Sequence, residues 1–316
     1  MSKAYSSAMS AIEAISASKF ADDAERFQVK EALRKLVVGL ETPFERVWSL
    51  SFENAPLIAG LRILIDLGHI AALYMLEETR LDTWKPTAFS LGLGDDSGHI
   101  SAGVVCGDDH TILCALNMPK FLAKYGYLEP VDMSKLDNYT DWTGGTSFFE
   151  ACAADPEGKG GSFIGMMTAL RNHKLDWTEV YDTNKIAKGA DISGGTPLFR
   201  MAYDFFTPQP EVGSHAYFFH AVPHDWPDAD CVRMFEQVKK VFNKGYSKLL
   251  IYEVVLPSMG ATNMQTMLDL EIMNCTSGVE RTEAHWVSLL QQVGFRIVEI
   301  SRHPRAVESV IEADLE

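Results

Sequence analysis

Basic side chains are scarce in this sequence of 316 residues. It contains 28 Lys and Arg against 43 Asp and Glu, for a formal net charge of -15 and a pI of about 5.0. A protein with this charge repels the phosphate groups of nucleic acids and of anionic membranes. The composition therefore argues against both as partners, and we expect a small-molecule partner.

Paired cysteines and long apolar runs are also lacking. No Cys-x-x-Cys pair occurs, and the odd count argues against a disulfide framework. The cysteines are Cys106, Cys114, Cys152, Cys231 and Cys275. The longest apolar stretch, 57–67, is interrupted by Arg62 and Asp66, so we predict no membrane span. With no signal segment at its beginning, the sequence predicts a cytoplasmic protein with reduced thiols.

A metal site is not predicted either. Cys106 and His110 flank Gly107-Asp-Asp109, but this spacing matches no closed tetrahedral ligand set.

The pattern of apolar residues predicts a helical first half and an α/β second half. Amphipathic helices are predicted at 22–40 and 56–67. In the second half, buried strands are predicted at 214–222 and 248–256, a further strand at 295–300, and helices at 228–242, 265–275 and 282–293. We therefore predict two domains, a mainly helical one at 1–175 and an α/β one at 176–316.

Three ionisable residues lie near the ends of these α/β elements. His224 follows the strand 214–222, Glu253 lies in the next strand, and Glu280 precedes the helix 282–293. Open α/β sheets bind ligands at the carboxyl ends of their strands. A histidine flanked by carboxylates can be held in one tautomer and can take a proton from a weakly acidic hydroxyl. The sequence therefore predicts an acid-base site, although His224 could also cap a loop and Glu280 could favour the start of a helix.

Five motifs of the second half occur together in one known family. They are Asp204-Phe-Phe-Thr-Pro-Gln-Pro210, His224-Asp-Trp-Pro-Asp228, Ile251-Tyr-Glu-Val-Val-Leu-Pro257, Thr266-Met-Leu-Asp-Leu-Glu271 and Ser277-Gly-Val-Glu-Arg-Thr-Glu283. The sequence resembles the plant and fungal small-molecule O-methyltransferases, in particular the fungal enzymes of polyketide and phenolic metabolism. The resemblance implies an N-terminal helical, winged-helix-like dimerisation domain and a C-terminal Rossmann-like methyltransferase domain, and hence a homodimer.

Roles for individual residues also follow from the resemblance. It implies that His224 is the general base, flanked by Glu253 and Glu280, with Asp225 in the same catalytic set. Asp204 and Phe205 match positions near the cofactor S-adenosylmethionine. Phe163, Met167, Trp226 and Met273 match positions that contact a flat aromatic acceptor. Methionines at helical spacing are also common core residues, so that alternative stays open.

Two segments of the family pattern are missing from this sequence. After Gly68, only His69 and Ile70 stand where a winged-helix-like segment is expected. Between Ala190 and Arg200, the strand, glycine turn and helix that hold S-adenosylmethionine are absent. A βαβ unit needs ~30 or more residues, which this interval cannot contain. We therefore interpret Gly194 and Gly195 as loop residues and predict a truncated Rossmann-like domain.

These observations favour methylation of a phenolic or enolic hydroxyl of a polyketide-like molecule, with His224 as the base. The missing segments leave other hypotheses open. One is an acid-base cyclase, isomerase or dehydratase that uses the same residues without methyl transfer. Others are an inactive truncated homologue, one that pairs with a full-length relative, or an incompletely predicted gene.

Overall fold

The computed structural model describes residues 3–16, 19–42, 76–80, 83–86, 91, 100–127, 137–187 and 203–316. The chain divides into two compact units, Met1–Pro56 and Leu57–Glu316. Across these described stretches, no helix is both long and apolar enough to cross a membrane. The predicted helix 56–67 and the glycines Gly194 and Gly195 lie outside the described residues.

The described residues of the first unit form two helices, α1 (Lys3–Glu13) and α2 (Asp23–Leu40). The Asp22 side chain caps α2 by accepting the Glu25 N–H at 2.9 Å, so the predicted helix 22–40 is confirmed. No residue of α2 is buried. Its last turns expose large apolar side chains, including Leu36, Val37 and Leu40.

The first described residues of the second unit form a β-hairpin, and a group of helices follows. The hairpin pairs β1 (Leu76–Arg80) with β2 (Thr83–Pro86). The helices are α3 (Ile100–Cys106), a π-helical turn (Gly107–Thr111), α4 (Ile112–Lys124), α5 (Asn138–Thr143), α6 (Phe148–Ala154) and α7 (Lys159–His173). Buried Cys114, Tyr139 and Phe148 form the core of this group and pack against Cys275 of a later helix.

An α/β layer follows. Its elements are α8 (Trp177–Val180), α9 (Asn184–Ala187), β3 (Ala216–His220), α10 (Asp228–Val241), β4 (Lys248–Glu253), β5 (Val255–Leu256), α11 (Asn263–Thr276), β6 (Arg281–Thr282), α12 (Glu283–Val293), β7 (Phe295–Ser301) and β8 (Ser309–Leu315). The main sheet has the order β3-β4-β8-β7, with β3 and β4 parallel and β8 antiparallel to both neighbours. A short sheet pairs β5 with β6. Apolar side chains of α10 and α12 pack on the main sheet to form the largest core cluster.

The strands and helices predicted for the second half are confirmed, with boundaries that differ by a few residues. Strand β4 is buried as predicted, but only Tyr217 of β3 is buried. Strand β8 was not predicted. Its sequence carries Glu312 among apolar residues, and this carboxylate is buried between Lys248 and the Tyr181 hydroxyl, which donates to it at 2.7 Å. A long-range ion pair therefore compensates a charge that interrupts the apolar pattern. Among the described residues, β3 pairs only with β4, so that one edge of the main sheet has no strand partner there.

Candidate active site

The loop that carries His224 begins where strand β3 ends. The chain turns at Ala221, whose φ of 51° lies in the left-handed region that disfavours a residue with a Cβ. A 3-10 turn, Pro223–Asp225, follows and brings His224 beside the end of the neighbouring parallel strand. Glu253 is the last residue of that strand, β4. The carboxyl ends of two parallel strands thus place the imidazole and the carboxylate together, as the sequence predicts.

The His224 ring is bound on one side by two buried glutamates. Its Nδ1 lies 3.0 Å from Glu280 Oε1 and 3.3 Å from Glu253 Oε2. The two glutamate side chains are 2% and 1% exposed, whereas that of His224 is 15% exposed. Both carboxylates therefore favour the tautomer that carries its proton on Nδ1. The other ring nitrogen, Nε2, lies 3.9 Å from Asp225 Oδ1. In the neutral ring, this nitrogen keeps a lone pair that can accept a proton.

Burial and charge act against each other in this group. Burial alone lowers the pKa of His224, but the charges of Glu253 and Glu280 outweigh it and raise the pKa to about 10. Burial raises the pKa of Glu253 to about 7, because the attraction of His224 offsets only part of the desolvation and Glu280 adds a like charge. Burial also raises the pKa of Asp225. The group therefore favours the protonated imidazole, and the ring must lose one proton before Nε2 can accept another from a ligand.

Backbone hydrogen bonds fix the two glutamates and the His224 loop to one another. Glu253 Oε1 accepts the N–H groups of Val222 and His224 at 3.2 and 3.4 Å. The Val279 N–H donates to the His224 carbonyl at 2.9 Å. Asp269 Oδ1, on α11, accepts the Glu280 N–H at 3.0 Å. The imidazole is thus held through its backbone as well as through its ring.

Gly278 allows the two loops to approach this closely. A Cβ at this position would overlap the His224 carbonyl oxygen and Ile272 Cγ2, and would lie 3.0 Å from Asp225 Cα. Because two of these three atoms belong to backbone, they cannot rotate away.

We therefore expect Gly278→Ala to lower the free energy of unfolding by about 1–3 kcal/mol, the usual cost of overpacking. Urea denaturation measures this loss. Gly161→Ala is the matched control, because a Cβ there meets only Pro156 O at an ordinary 3.5 Å. The control should leave stability unchanged or slightly higher. Equal stability of the two variants would contradict the close approach at Gly278.

The residues predicted to contact a cofactor or acceptor fall into two places. Trp226 packs edge-on against Phe205 and Phe206, with ring centroids 5.8 and 4.8 Å away. Asp204 Oδ1 accepts the Phe206 N–H at 3.0 Å, which makes it a turn former beside this aromatic group. These residues therefore lie against the loop that carries His224.

The other predicted acceptor contacts lie on helices. Phe163 packs edge-on against Phe148 at 5.0 Å, and Met167, four residues later on α7, is 40% exposed. Met273 is half-buried on α11, the helix that also contributes Asp269. Their contact with an acceptor stays a prediction.

Sequence reasoning missed several residues that shape the site. Arg281, Asp269 and Gly278 all stand inside motifs quoted above, but no role was assigned to them. Their position next to a predicted site residue was the available signal. Arg281 directly follows Glu280, and Gly278 lies two residues before Glu280. Their partners are backbone atoms distant in sequence, which a residue pattern does not reveal.

His224, Glu253 and Glu280 also have potential metal ligand atoms within 4.8 Å of one another. The His224 Nδ1–H donates to Glu280 Oε1 at 3.0 Å, whereas Glu253 Oε2 and Glu280 Oε2 are buried and have no hydrogen-bond partner among the described residues. That the site holds no metal stays a prediction.

Comparison with known proteins identifies the family. The O-methyltransferase domain family matches residues 178–296. The O-methyltransferase mfmE of Annulohypoxylon moriforme is 30% identical over 385 residues, covering 96% of this chain and 94% of that protein. The chain belongs to the S-adenosylmethionine-dependent O-methyltransferase family. The alignment is longer than the 316 residues of this family member, so mfmE contains segments that have no counterpart here.

Solved structures show the same fold at low sequence identity. A structure of LepI in complex with S-adenosylmethionine has a TM-score of 0.84 and 19% identity, and the match covers 100% of both chains. A structure described as a pericyclic reaction enzyme has a TM-score of 0.82 and 18% identity, covering 99% of this chain and 100% of that one. This member of the O-methyltransferase family therefore has an α/β methyltransferase fold.

The described residues do not by themselves form a site for S-adenosylmethionine. The edge of β3, where the sheet would continue, has no partner strand among them. Residues 188–202 connect α9 to Tyr203, and this interval is about half of what a βαβ unit requires. Asp204, the predicted cofactor contact, already uses a carboxylate oxygen to hold its own turn.

Proposed function

We propose that this protein methylates a phenolic or enolic hydroxyl of a polyketide-like small molecule, and that His224 is the general base that removes the hydroxyl proton. The observation that carries the proposal is the pair of buried glutamates at Nδ1. They leave Nε2 as the ring atom that can take up a proton. Family membership indicates the reaction, and the site geometry indicates the residue.

The chain's own residues account for the proton transfer. Glu280 accepts the Nδ1–H and so keeps the Nε2 lone pair available. When Nε2 takes the proton, the imidazolium that forms is stabilised by the charge of Glu253 at 3.3 Å. Burial strengthens this attraction, because little water screens it. Asp225, at 3.9 Å from Nε2, lies on the side where the hydroxyl would bind and helps to orient it.

The proposal also includes the residues that contact the acceptor, the oligomeric state and the location of the protein. Trp226 and Met273 lie on elements that carry the site, and with Phe163 and Met167 they offer polarizable and aromatic surfaces to a flat ring. We propose a homodimer formed through the first unit, because the exposed apolar residues at the end of α2 need a cover. The five cysteines are unpaired, which suits a cytoplasmic location.

A direct experiment combines binding with product analysis. The purified protein is titrated with S-adenosylmethionine by calorimetry, and is then incubated with this donor and a panel of hydroxylated aromatic polyketides. The proposal predicts micromolar binding and products that are one methyl group heavier by mass spectrometry. No heat at millimolar donor and no methylated product would contradict methyl transfer.

A second candidate function is favoured by the short interval 188–202 and by the segments of mfmE that this chain lacks. On this hypothesis, His224, Glu253 and Glu280 catalyse a cyclisation, isomerisation or dehydration without a methyl donor. The fold is compatible, since one structural neighbour is described as a pericyclic reaction enzyme. Incubating the same compounds without the donor tests it, because products of unchanged mass or of lost water would appear only with active protein. An inactive homologue would convert none of them under either condition.

A further inference from the structure

We propose that Arg281 is a positioning residue for the base: its guanidinium binds the backbone on both sides of His224 and thereby orients the imidazole. The inference rests on the proposed role of His224. It concerns the loop Pro223–Asp228, which carries His224, and the ion pair between Arg281 and Asp228 that holds this loop.

The contacts of Arg281 bracket His224. Nη1 donates to the Pro223 carbonyl at 3.0 Å, and Nη2 donates to the Trp226 carbonyl at 2.7 Å. Nε donates to Asp228 Oδ1 at 2.9 Å. One planar group with fixed donor directions thus binds three points of a six-residue loop. The loop cannot slide or rotate without breaking at least one of these bonds.

The guanidinium of Arg281 is itself fixed by its surroundings. The Arg281 side chain is fully buried, and its guanidinium packs over the Trp286 ring, with Cζ 5.3 Å from the ring centroid. Asp228 is fixed in turn, because its Oδ2 accepts from His285 Nε2 at 2.6 Å. Burial raises the pKa of the Asp228 carboxyl, but hydrogen bonds from His285 and Arg281 outweigh this and hold the pKa below its usual value. Asp228 therefore stays charged and keeps the guanidinium paired.

The position of Arg281 in the chain links its contacts with the loop to the contact between Glu280 and the His224 ring. Glu280 and Arg281 are consecutive, and Arg281 begins the short strand β6. Successive side chains of an extended segment point in opposite directions. One residue therefore binds the ring of His224 while the next binds the backbone that carries the ring. A shift of this segment would move the carboxylate and the loop together.

The test uses Arg281→Lys, which keeps the charge but loses the planar set of donors. Histidine rings are followed by NMR in the full-length protein with isotope-labelled histidine, and the signal of His224 among the nine histidines is assigned with His224→Ala. We expect the His224 ring signals and their pH titration to shift in Arg281→Lys. With an acceptor that the wild type converts, kcat should fall by on the order of 10- to 100-fold while KM changes little.

Arg302→Lys is the matched control, because Arg302 forms an exposed ion pair with Glu283. It should leave both readouts unchanged. If Arg281→Lys is folded and only loses thermal stability, with wild-type His224 signals and kcat, Arg281 is merely structural and the inference is wrong. If His224→Ala itself keeps full activity, the proposed function fails instead, so the two failures are distinguishable. Asp228→Asn, which weakens the clamp without altering Arg281, serves as the second variant should Arg281→Lys not fold, and unshifted His224 signals in it would overturn the inference.

Discussion

His224→Ala is expected to lower kcat by on the order of 10²- to 10⁴-fold, the usual contribution of a positioned general base. In the proposed mechanism, Nε2 accepts the hydroxyl proton, and alanine removes this atom while the backbone hydrogen bonds of the loop remain. KM should change little, because the base contributes mainly to the transition state. The rate is measured on any acceptor that the wild-type protein converts, by separation of product from substrate.

His303→Ala is the matched control for this change. His303 lies on the loop between β7 and β8, where its Nδ1 accepts the Arg305 N–H at 3.2 Å. Its replacement should leave kcat within about twofold of the wild type, as a substitution remote from the site does. A folded His224→Ala protein that turns over at the control's rate would exclude His224 as the base.

Glu280→Gln is expected to cause a loss of similar size through the tautomer of the base. An amide N–H at this position can donate to Nδ1, which moves the ring proton to Nε2 and blocks the atom that must accept. The expected fall in kcat is on the order of 10²- to 10⁴-fold, as for a triad whose orienting carboxylate becomes an amide. The pKa of His224 should also fall, because one of the two charges that raise it is removed.

We expect Glu253→Gln to slow turnover but to raise the free energy of unfolding at high pH. The folded pKa of this carboxyl, about 7, lies above the ordinary value of 4.5, so folding favours its protonated form. The stability that this carboxyl contributes is therefore present below pH ~4.5 and lost as pH rises through about 7. Glutamine stays neutral, so the variant should be more stable than the wild type at pH ~8 in urea denaturation, yet slower in turnover.

Glu271→Gln is the control for both glutamate variants. Glu271 is a largely buried carboxyl on α11 that accepts from Cys275 Sγ at 3.4 Å, apart from the His224 group. Burial raises its pKa as well, so the control should gain stability at high pH without losing turnover. Equal turnover in all three variants would show that the glutamates do not act through His224.

The sequence predicted the elements that place the base because their signals are local. The strand ending at His220 and the strand ending at Glu253 read as buried apolar runs, and parallel strands bring their carboxyl ends together. The contact of His224 with both glutamates followed from that rule and from the family motifs.

The residues that hold the site in place could not be predicted from local patterns in the same way. Arg281 binds carbonyl oxygens of Pro223 and Trp226, and any residue would supply those atoms. Gly278 is required by a backbone approach between segments that are remote in sequence. Strand β8 was missed because Glu312 and Lys248 compensate each other only after folding. Such features depend on tertiary pairing, which local patterns do not encode.

The most direct test of the central claim is an NMR titration of the His224 ring in the wild-type protein. If two buried carboxylates stabilise the charged form of this ring, its pKa should lie far above the ordinary 6.5 and near 10. A pKa at or below 6.5 would contradict the account, because the ring would then lack the charged partners on which its proposed role depends.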